Sequence, residues 1–372
     1  MRAGVDGDRL VRHFLELVRI DSPSFDEQEL ARRLEADLNR LGLAVTNDRS
    51  GPNGTGNVVA VWPGRGGLPI ALSAHLDTVE PGRGVTPRIV DGVIRSDGRT
   101  ILGADCKAGL AIIVEALHQV MERGLPHGHI ELLLTYGEER GHAGAKTLRL
   151  DDLQARLAVV LDGTGPPGTI IAAAPSYDSV KAVFRGRAAH AGLEPEKGRS
   201  AIVAAADAVR RMPLGRLDEE TTANIGLIRG GTARNVVPDR AELEGEARSR
   251  DNAKLARLTA TLRAAMEAAA HEGSVQVDVT VVREYSAYRL DERHPGVALA
   301  LQTARKLGLA SQLAAMGGGS DANTFNERGL ASVVLGIGMQ QPHTLEEHIA
   351  VDDLVRSTEY LVELITQATE VR

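Results

Sequence analysis

The sequence predicts an α/β fold: a mixed, largely parallel sheet flanked by helices, with a ferredoxin-like α+β module inserted into it. Three observations predict it. Continuous apolar runs at 68–74, 130–136 and 157–161 alternate with helical patterns, as buried parallel strands do. After Pro175 the rhythm changes to half-buried alternation in the order β-α-β-β-α-β, which is the ferredoxin-like order. The first rhythm then resumes, and a chain of 372 residues is longer than one hydrophobic core usually serves. The expected division is a discontinuous domain of residues 1–176 and 285–372, and an inserted domain of residues 177–284.

Taken in order, Leu10, Val11, Phe14, Leu15 and Val18 recur at helical spacing, with Asp6 or Asp8 as a cap. Ser24 with Glu27 reads as a capping box for the next helix, whose inner face is Leu30, Leu34, Leu38 and Leu41. Residues 51–56 are glycine-rich, but no Lys-Ser/Thr follows, so they read as a turn and not a phosphate loop. Strands follow at 58–62 and 68–74, then a small hairpin at 85–97 turning on Asp91-Gly92. Asp105 opens a long helix through Leu110, Ile113, Leu117 and Val120, and short helical character returns at 144–148. In the insert, strands at 179–184, 222–228, 241–247 and 275–281 frame helices at 198–212 and 252–271. The closing segment has helices at 294–307 and 352–369 around a glycine-rich loop at 316–320 and a buried strand at 331–337.

Composition narrows function. The 43 basic and 50 acidic residues give a net charge of −7, which offers nucleic acid or an anionic membrane no electrostatic footprint. No apolar run approaches the ~18 residues of a membrane span, and the N-terminus has no apolar signal-peptide core. The single cysteine, Cys106, excludes an internal disulfide and fits a reducing compartment. A cytoplasmic enzyme is the expectation.

The polar residues that matter stand where apolar runs stop. His75-Leu76-Asp77, the pair Glu138-Glu139 and Asp162 each follow a strand; Asp105 opens a helix, and His343 lies in a late loop. Open α/β sheets gather ligands at the carboxyl ends of their strands. Two imidazoles with four carboxylates suit a pair of divalent ions, Zn²⁺ foremost, with Mn²⁺ or Co²⁺ as substitutes. A Cys-rich structural zinc is excluded. Any one of these residues alone would be read as structural.

Five stretches carry a resemblance: Ser73-Ala74-His75-Leu76-Asp77-Thr78-Val79, Gly103-Ala104-Asp105-Cys106-Lys107-Ala108-Gly109, Tyr136-Gly137-Glu138-Glu139, Leu161-Asp162-Gly163 and Pro342-His343-Thr344. Together and in this order they resemble the co-catalytic zinc peptidases of the M20 group. That group includes aminotripeptidase (peptidase T), carboxypeptidase G, dipeptidase V and the deacylases of acetylornithine and succinyl-diaminopimelate. The resemblance covers nearly the whole chain, insert included, and runs closest to peptidase T-like members.

The resemblance implies two metal ions. His75, Asp105 and Asp162 would hold one; Asp105, Glu139 and His343 would hold the other, with Asp105 bridging. Glu138 would be general base and then general acid toward a water shared by the ions, and Asp77 would fix the tautomer of His75. In the insert, a lid and dimerisation domain, His190 would steady the oxyanion, while Asn235 and Arg248 would hold the substrate. The loop Gly317-Gly318-Gly319-Ser320-Asp321 would lie on the substrate side. A cis peptide at Asp105–Cys106 is implied as well, and Cys106 departs from the acidic residue or Met often found there. A thiol so placed could make the enzyme sensitive to oxidation.

Asp at position 162 resembles the aminopeptidase-type members. The expected reaction is hydrolysis of a short peptide at its N-terminal residue. The alternative is an M20-type carboxypeptidase or N-acyl-amino-acid amidohydrolase, and a homodimer through the insert is allowed. His13, His118, His127, His129, His142, His271, His294 and His348 have no motif around them and read as ordinary surface or core residues.

Overall fold

A computed structural model describes residues 4–371. The chain divides into two compact units: a larger one running up to Ala172, through Leu290–Ala315 and from Ser320 onward, and a smaller one of Ala173–Arg289 with Met316–Gly319.

The larger unit begins with α1 (Gly7–Val18), which buries Leu10, Phe14, Leu17 and Val18. The Asp6 carboxylate caps it, accepting from the Arg9 N–H at 3.0 Å. Helix α2 (Gln28–Arg40) follows with Leu30, Leu34 and Leu38 buried. The capping box expected there does not form: Glu27 is the cap residue, and no side chain caps the helix. Both residues of the proposed box have other work. Ser24 Oγ donates to Asp77 at 2.7 Å, and Glu27 Oε1 accepts from the N–H groups of Phe25 and Gly137 at 2.8 and 3.0 Å.

Next come β1 (Ala44–Asn47), β2 (Val58–Trp62) and β3 (Ile70–His75), then β4 (Arg88–Val90) and β5 (Val93–Arg95). Asp91 and Gly92 join the last two with positive φ, the geometry of a two-residue hairpin. Helix α3 (Ala104–Glu122) is buried nearly all round, packed against α1 and β3. After it run β6 (Ile130–Thr135), α4 (Ala143–Thr147), β7 (Leu157–Thr164) and β8 (Thr169–Ala174). Strands β3, β6 and β7 are parallel, in the order β6-β3-β7. β1, the alanine-rich β8 and four short strands named below escape the sequence reading. They are short or rich in small residues and carry little β-signal of their own.

The smaller unit holds β9 (Ser176–Arg185), α5 (Ala201–Arg211), β10 (Gly215–Arg216), β11 (Thr221–Gly230), β12 (Arg240–Ser249), α6 (Asn252–Glu272), β13 (Gln276–Tyr285) and β14 (Tyr288–Arg289). Its antiparallel sheet runs β10-β11-β12-β9-β13, the ferredoxin-like order with one short added strand. One face buries Val180, Ala182, Phe184 and Leu243 under α5 and α6.

The chain returns to the larger unit with α7 (Pro295–Leu307), β15 (Gln312–Ala315), α8 (Asp321–Glu327), β16 (Ala331–Met339), β17 (His348–Ala350) and α9 (Val351–Ala368). β16 runs parallel to β7 and antiparallel to β8, so the central sheet is mixed. α9 presses Leu354, Leu361 and Ile365 inward and packs on α3. Among the described residues no helix is long and apolar enough to cross a membrane.

Candidate metal centre

Because β3, β6 and β7 are parallel neighbours, their carboxyl ends share one edge, and each delivers acid or imidazole there. β3 ends on His75, Glu138 and Glu139 follow β6, and Asp162 is near the end of β7. Asp105 arrives from the first turn of α3. That turn is brought in close at Gly109, where a Cβ would stand 2.3 Å from the Leu161 carbonyl oxygen. Any larger residue would push Asp105 away from Asp162. The Asp105–Cys106 peptide is cis. His343 comes from the loop between β16 and β17 and has a φ of 64°, left-handed for a non-glycine residue. Such conformations cost about 1–3 kcal/mol and gather at functional sites.

The side chains converge. His75 Nε2 lies 3.0 Å from Asp105 Oδ1 and 3.6 Å from Asp162 Oδ1. His343 Nε2 lies 3.2 Å from Asp105 Oδ2 and 2.8 Å from Glu139 Oε1. Three groups, His75/Asp105/Cys106/Asp162, His75/Glu138/Glu139 and Asp105/Glu139/His343, each bring one potential ligand atom per residue within 4.8 Å of the others. Asp105 belongs to two of them, with one oxygen toward each histidine.

Burial makes this cluster electrostatically unbalanced. Asp77, Asp105, Glu138, Asp162 and Asp321 are all at most 9% exposed. Burial pushes Asp162 up to about 7, with Asp105 adding to it. Burial also lifts Glu138 well above the ordinary carboxylate range; His75 opposes this, while Glu139, Asp162 and Asp321 add to it. Asp105 goes the other way: burial works against ionisation, but His343 and His75 hold its carboxyl below the ordinary range. Hydrogen bonds to Asp105 and Glu139 raise His343 to about 10. Two imidazoles cannot balance this many buried acids, and unpaired buried charge is costly. A nitrogen-and-oxygen donor set with surplus negative charge fits divalent cations.

The family profile of peptidase family M20/M25/M40 matches residues 71–367, which span every one of these side chains. The chain belongs to peptidase family M20/M25/M40. As a member it is a peptidase, the enzyme class that the sequence leads one to expect. It is 41% identical over 371 residues to an uncharacterized protein, YqjE, of Bacillus subtilis (strain 168), covering 98% of this chain and 100% of that one. Two solved structures are similar throughout. One is an aminopeptidase PepT from Bacillus cereus, 41% identical with a TM-score of 0.86, covering 98% of this chain and 99% of that one. The other is a tripeptidase from Staphylococcus aureus, 37% identical with a TM-score of 0.92, covering 99% and 100%.

Within this M20 chain, Asp77 does more than the motif suggests. His75 Nδ1 donates to the Asp77 backbone carbonyl at 2.9 Å, while the carboxylate stands off at 3.5 Å. The carboxylate oxygens accept instead from the N–H groups of Glu138 and Glu139 at 2.8 and 3.2 Å, and from Ser24. Asp77 therefore clamps the turn that presents the two glutamates.

Several further residues shape the site without having been assigned a role by the sequence. Glu347 is fully buried and accepts from the N–H groups of Gly103 and Asp105 at 2.7 and 3.0 Å, fixing the start of α3. Asp321 receives the Thr135 hydroxyl. His142 is buried with Nε2 3.3 Å from Glu138 Oε1. Each stands near a motif: Asp321 closes the glycine-rich loop, His142 is three positions after Glu139, and Glu347 is four after His343. Cys106 is fully buried and its Sγ donates to the Leu161 carbonyl at 2.9 Å; burial pushes its thiol well up, the setting of an inert structural cysteine.

Ser320 is fully buried at the start of α8, where its N–H is held by Asn323 Oδ1 at 3.0 Å. In the smaller unit His190 and Asn235 are both exposed. His190 Nδ1 accepts from the N–H groups of Gly192 and Leu193 at 3.2 Å, which puts the ring proton on Nε2. Arg248 is forked on Glu246 through Nε and Nη2, both at 3.0 Å, and its guanidinium sits 4.6 Å over the Tyr177 ring. With Arg216, Thr222 and Gly317-Gly318 it lines a cavity of about 330 Å³.

Proposed function

We propose that this protein is a two-metal exopeptidase that removes the N-terminal residue from short peptides, in the manner of a tripeptidase. The observation that carries the proposal is the division of Asp105 between two donor groups, one oxygen beside His75 and the other beside His343. His75, Asp105 and Asp162 would hold one ion, and Asp105, Glu139 and His343 the other, with Zn²⁺ the best fit to the donors and Co²⁺ or Mn²⁺ as substitutes. Bound there, the cations would supply Lewis acidity for the scissile carbonyl and make the attacking water more acidic.

The protein's own side chains do the rest. Glu138, buried and beside the ligands without belonging to either triad, takes a proton from the water and returns it to the leaving amine. Asp77 keeps the turn of Glu138 and Glu139 from drifting. In the smaller unit, which we read as lid and dimerisation domain, the Nε2–H of His190 is a free donor suited to a developing oxyanion. Asn235 and the remaining edge of Arg248 are assigned to the substrate backbone or carboxylate, and Ser320, at the start of α8, to the substrate as well.

The names of the two similar solved structures, an aminopeptidase and a tripeptidase, support the N-terminal reading over the carboxypeptidase or deacylase one. Incubation of the metal-loaded protein with a tripeptide is expected to release its first residue, and N-acetylation of that peptide to abolish cleavage. Preferential cleavage of the blocked peptide would favour the alternative. Leu227 and Ile228 on β11 and Val203 on α5 are large exposed apolar side chains and support a homodimer through this unit. A monomer at micromolar concentration in sedimentation equilibrium would remove that part of the proposal.

A further inference from the structure

His142 lies just past the turn that carries the catalytic glutamate, and its whole setting points back to that residue. Its N–H donates to the Glu138 carbonyl at 2.8 Å. Its backbone is left-handed, with φ 58°, a region uncommon for non-glycine residues but more open to histidine than to most. The side chain is 3% exposed. Nε2 lies 3.3 Å from Glu138 Oε1, and Nδ1 lies 3.1 Å from the Thr324 hydroxyl on α8, itself buried.

Glu138 needs such a partner. The charged groups facing its carboxyl are His75, Glu139, Asp162 and Asp321, and three of those four repel it when ionised. Asp77 grips the backbone N–H of Glu138 but not its side chain. Among the described residues, His142 is the side chain paired with that carboxyl.

We propose that His142 is a positioning residue for Glu138, oriented in turn by Thr324. The Thr324 hydroxyl donates to Nδ1, so the ring proton sits on Nε2 and is donated to Oε1 of Glu138. One carboxylate oxygen is thereby pinned, and Oε2 is left as the oxygen that exchanges a proton with the water. The logic is that of a base held by a third group. The inference rests on the general-base reading of Glu138.

The test uses the full-length, metal-loaded protein and an unblocked tripeptide. His142→Asn suits the left-handed backbone and can keep the Thr324 contact, but is too short to reach Glu138. His142→Gln extends an amide N–H toward Oε1. Removing an orienting partner of this kind costs about 10–100-fold. His142→Asn should therefore lower kcat by that factor, with KM and metal content unchanged. His142→Gln should recover most of the loss, and Thr324→Val should show a smaller fall in kcat. In a Glu138→Gln background, adding His142→Asn should cost nothing more. An unchanged kcat in His142→Asn, equal losses in the Asn and Gln variants, or an additive loss in the double variant would overturn the inference while leaving Glu138 as base. Full activity in Glu138→Gln alone would overturn the general-base reading and this inference with it.

Discussion

Glu138→Gln is expected to lower kcat by about 10²–10⁴-fold, the usual worth of a positioned general base. Glutamine matches the shape of the side chain and keeps the backbone N–H that Asp77 holds, but it cannot accept the proton. The proposed ligands His75, Asp105, Glu139, Asp162 and His343 are untouched, so metal content and KM should stay as in the wild type. The substitution also removes a carboxyl from a pocket crowded with acids, so the metal-free variant should melt no lower than the parent. Sites that carry such repulsion commonly gain stability when they lose function. Steady-state kinetics on a tripeptide, metal analysis and a thermal melt together check this. Hydrolysis at the parental rate would remove Glu138 from the mechanism.

Asp105→Ala is the second large effect, and it acts on the ions and not on the proton. His75 Nε2 and His343 Nε2 lie 3.0 and 3.2 Å from the two oxygens of this one carboxylate. Removing it takes the shared donor from both groups at once and leaves the histidines with only Asp162 and Glu139. The protein should then lose bound metal on dialysis. Because metal ions supply several kcal/mol of transition-state stabilisation, turnover should fall by at least ~10³-fold. Asp162→Ala should be milder for metal content, since it touches only one group. A variant lacking Asp105 that keeps its full metal complement and activity would show that the two groups do not share a ligand.

The two expectations separate the roles of neighbouring carboxylates. A fall in kcat with metal retained marks a proton carrier; a fall with metal lost marks a ligand. Glu138 and Glu139 are adjacent in the chain, and this pair of measurements is what distinguishes them.

Periodicity and local chemistry make the larger part of the architecture legible along the chain. Apolar runs of strand length separated by amphipathic helices leave few alternatives to a parallel sheet with covered faces, and Ile70–His75, Ile130–Thr135 and Leu157–Thr164 are such strands. Acids and imidazole placed just after those runs must then meet at one edge, because parallel neighbours end together. The insert was equally legible, since its alternation marks half-buried strands and its helices are long. The choice of polar groups among competing partners, by contrast, emerges only once the chain has folded. Ser24 and Glu27 have the spacing of a capping box, yet they serve Asp77 and Gly137, because a buried carboxylate and a buried N–H demand satisfaction more strongly than a solvent-exposed helix end. His142 and Thr324 are 182 residues apart, and Asp105 and Glu347 are 242 apart. No local pattern encodes such pairs, because each exists only once the sheet and its helices have closed around the centre and made every buried polar atom find a partner.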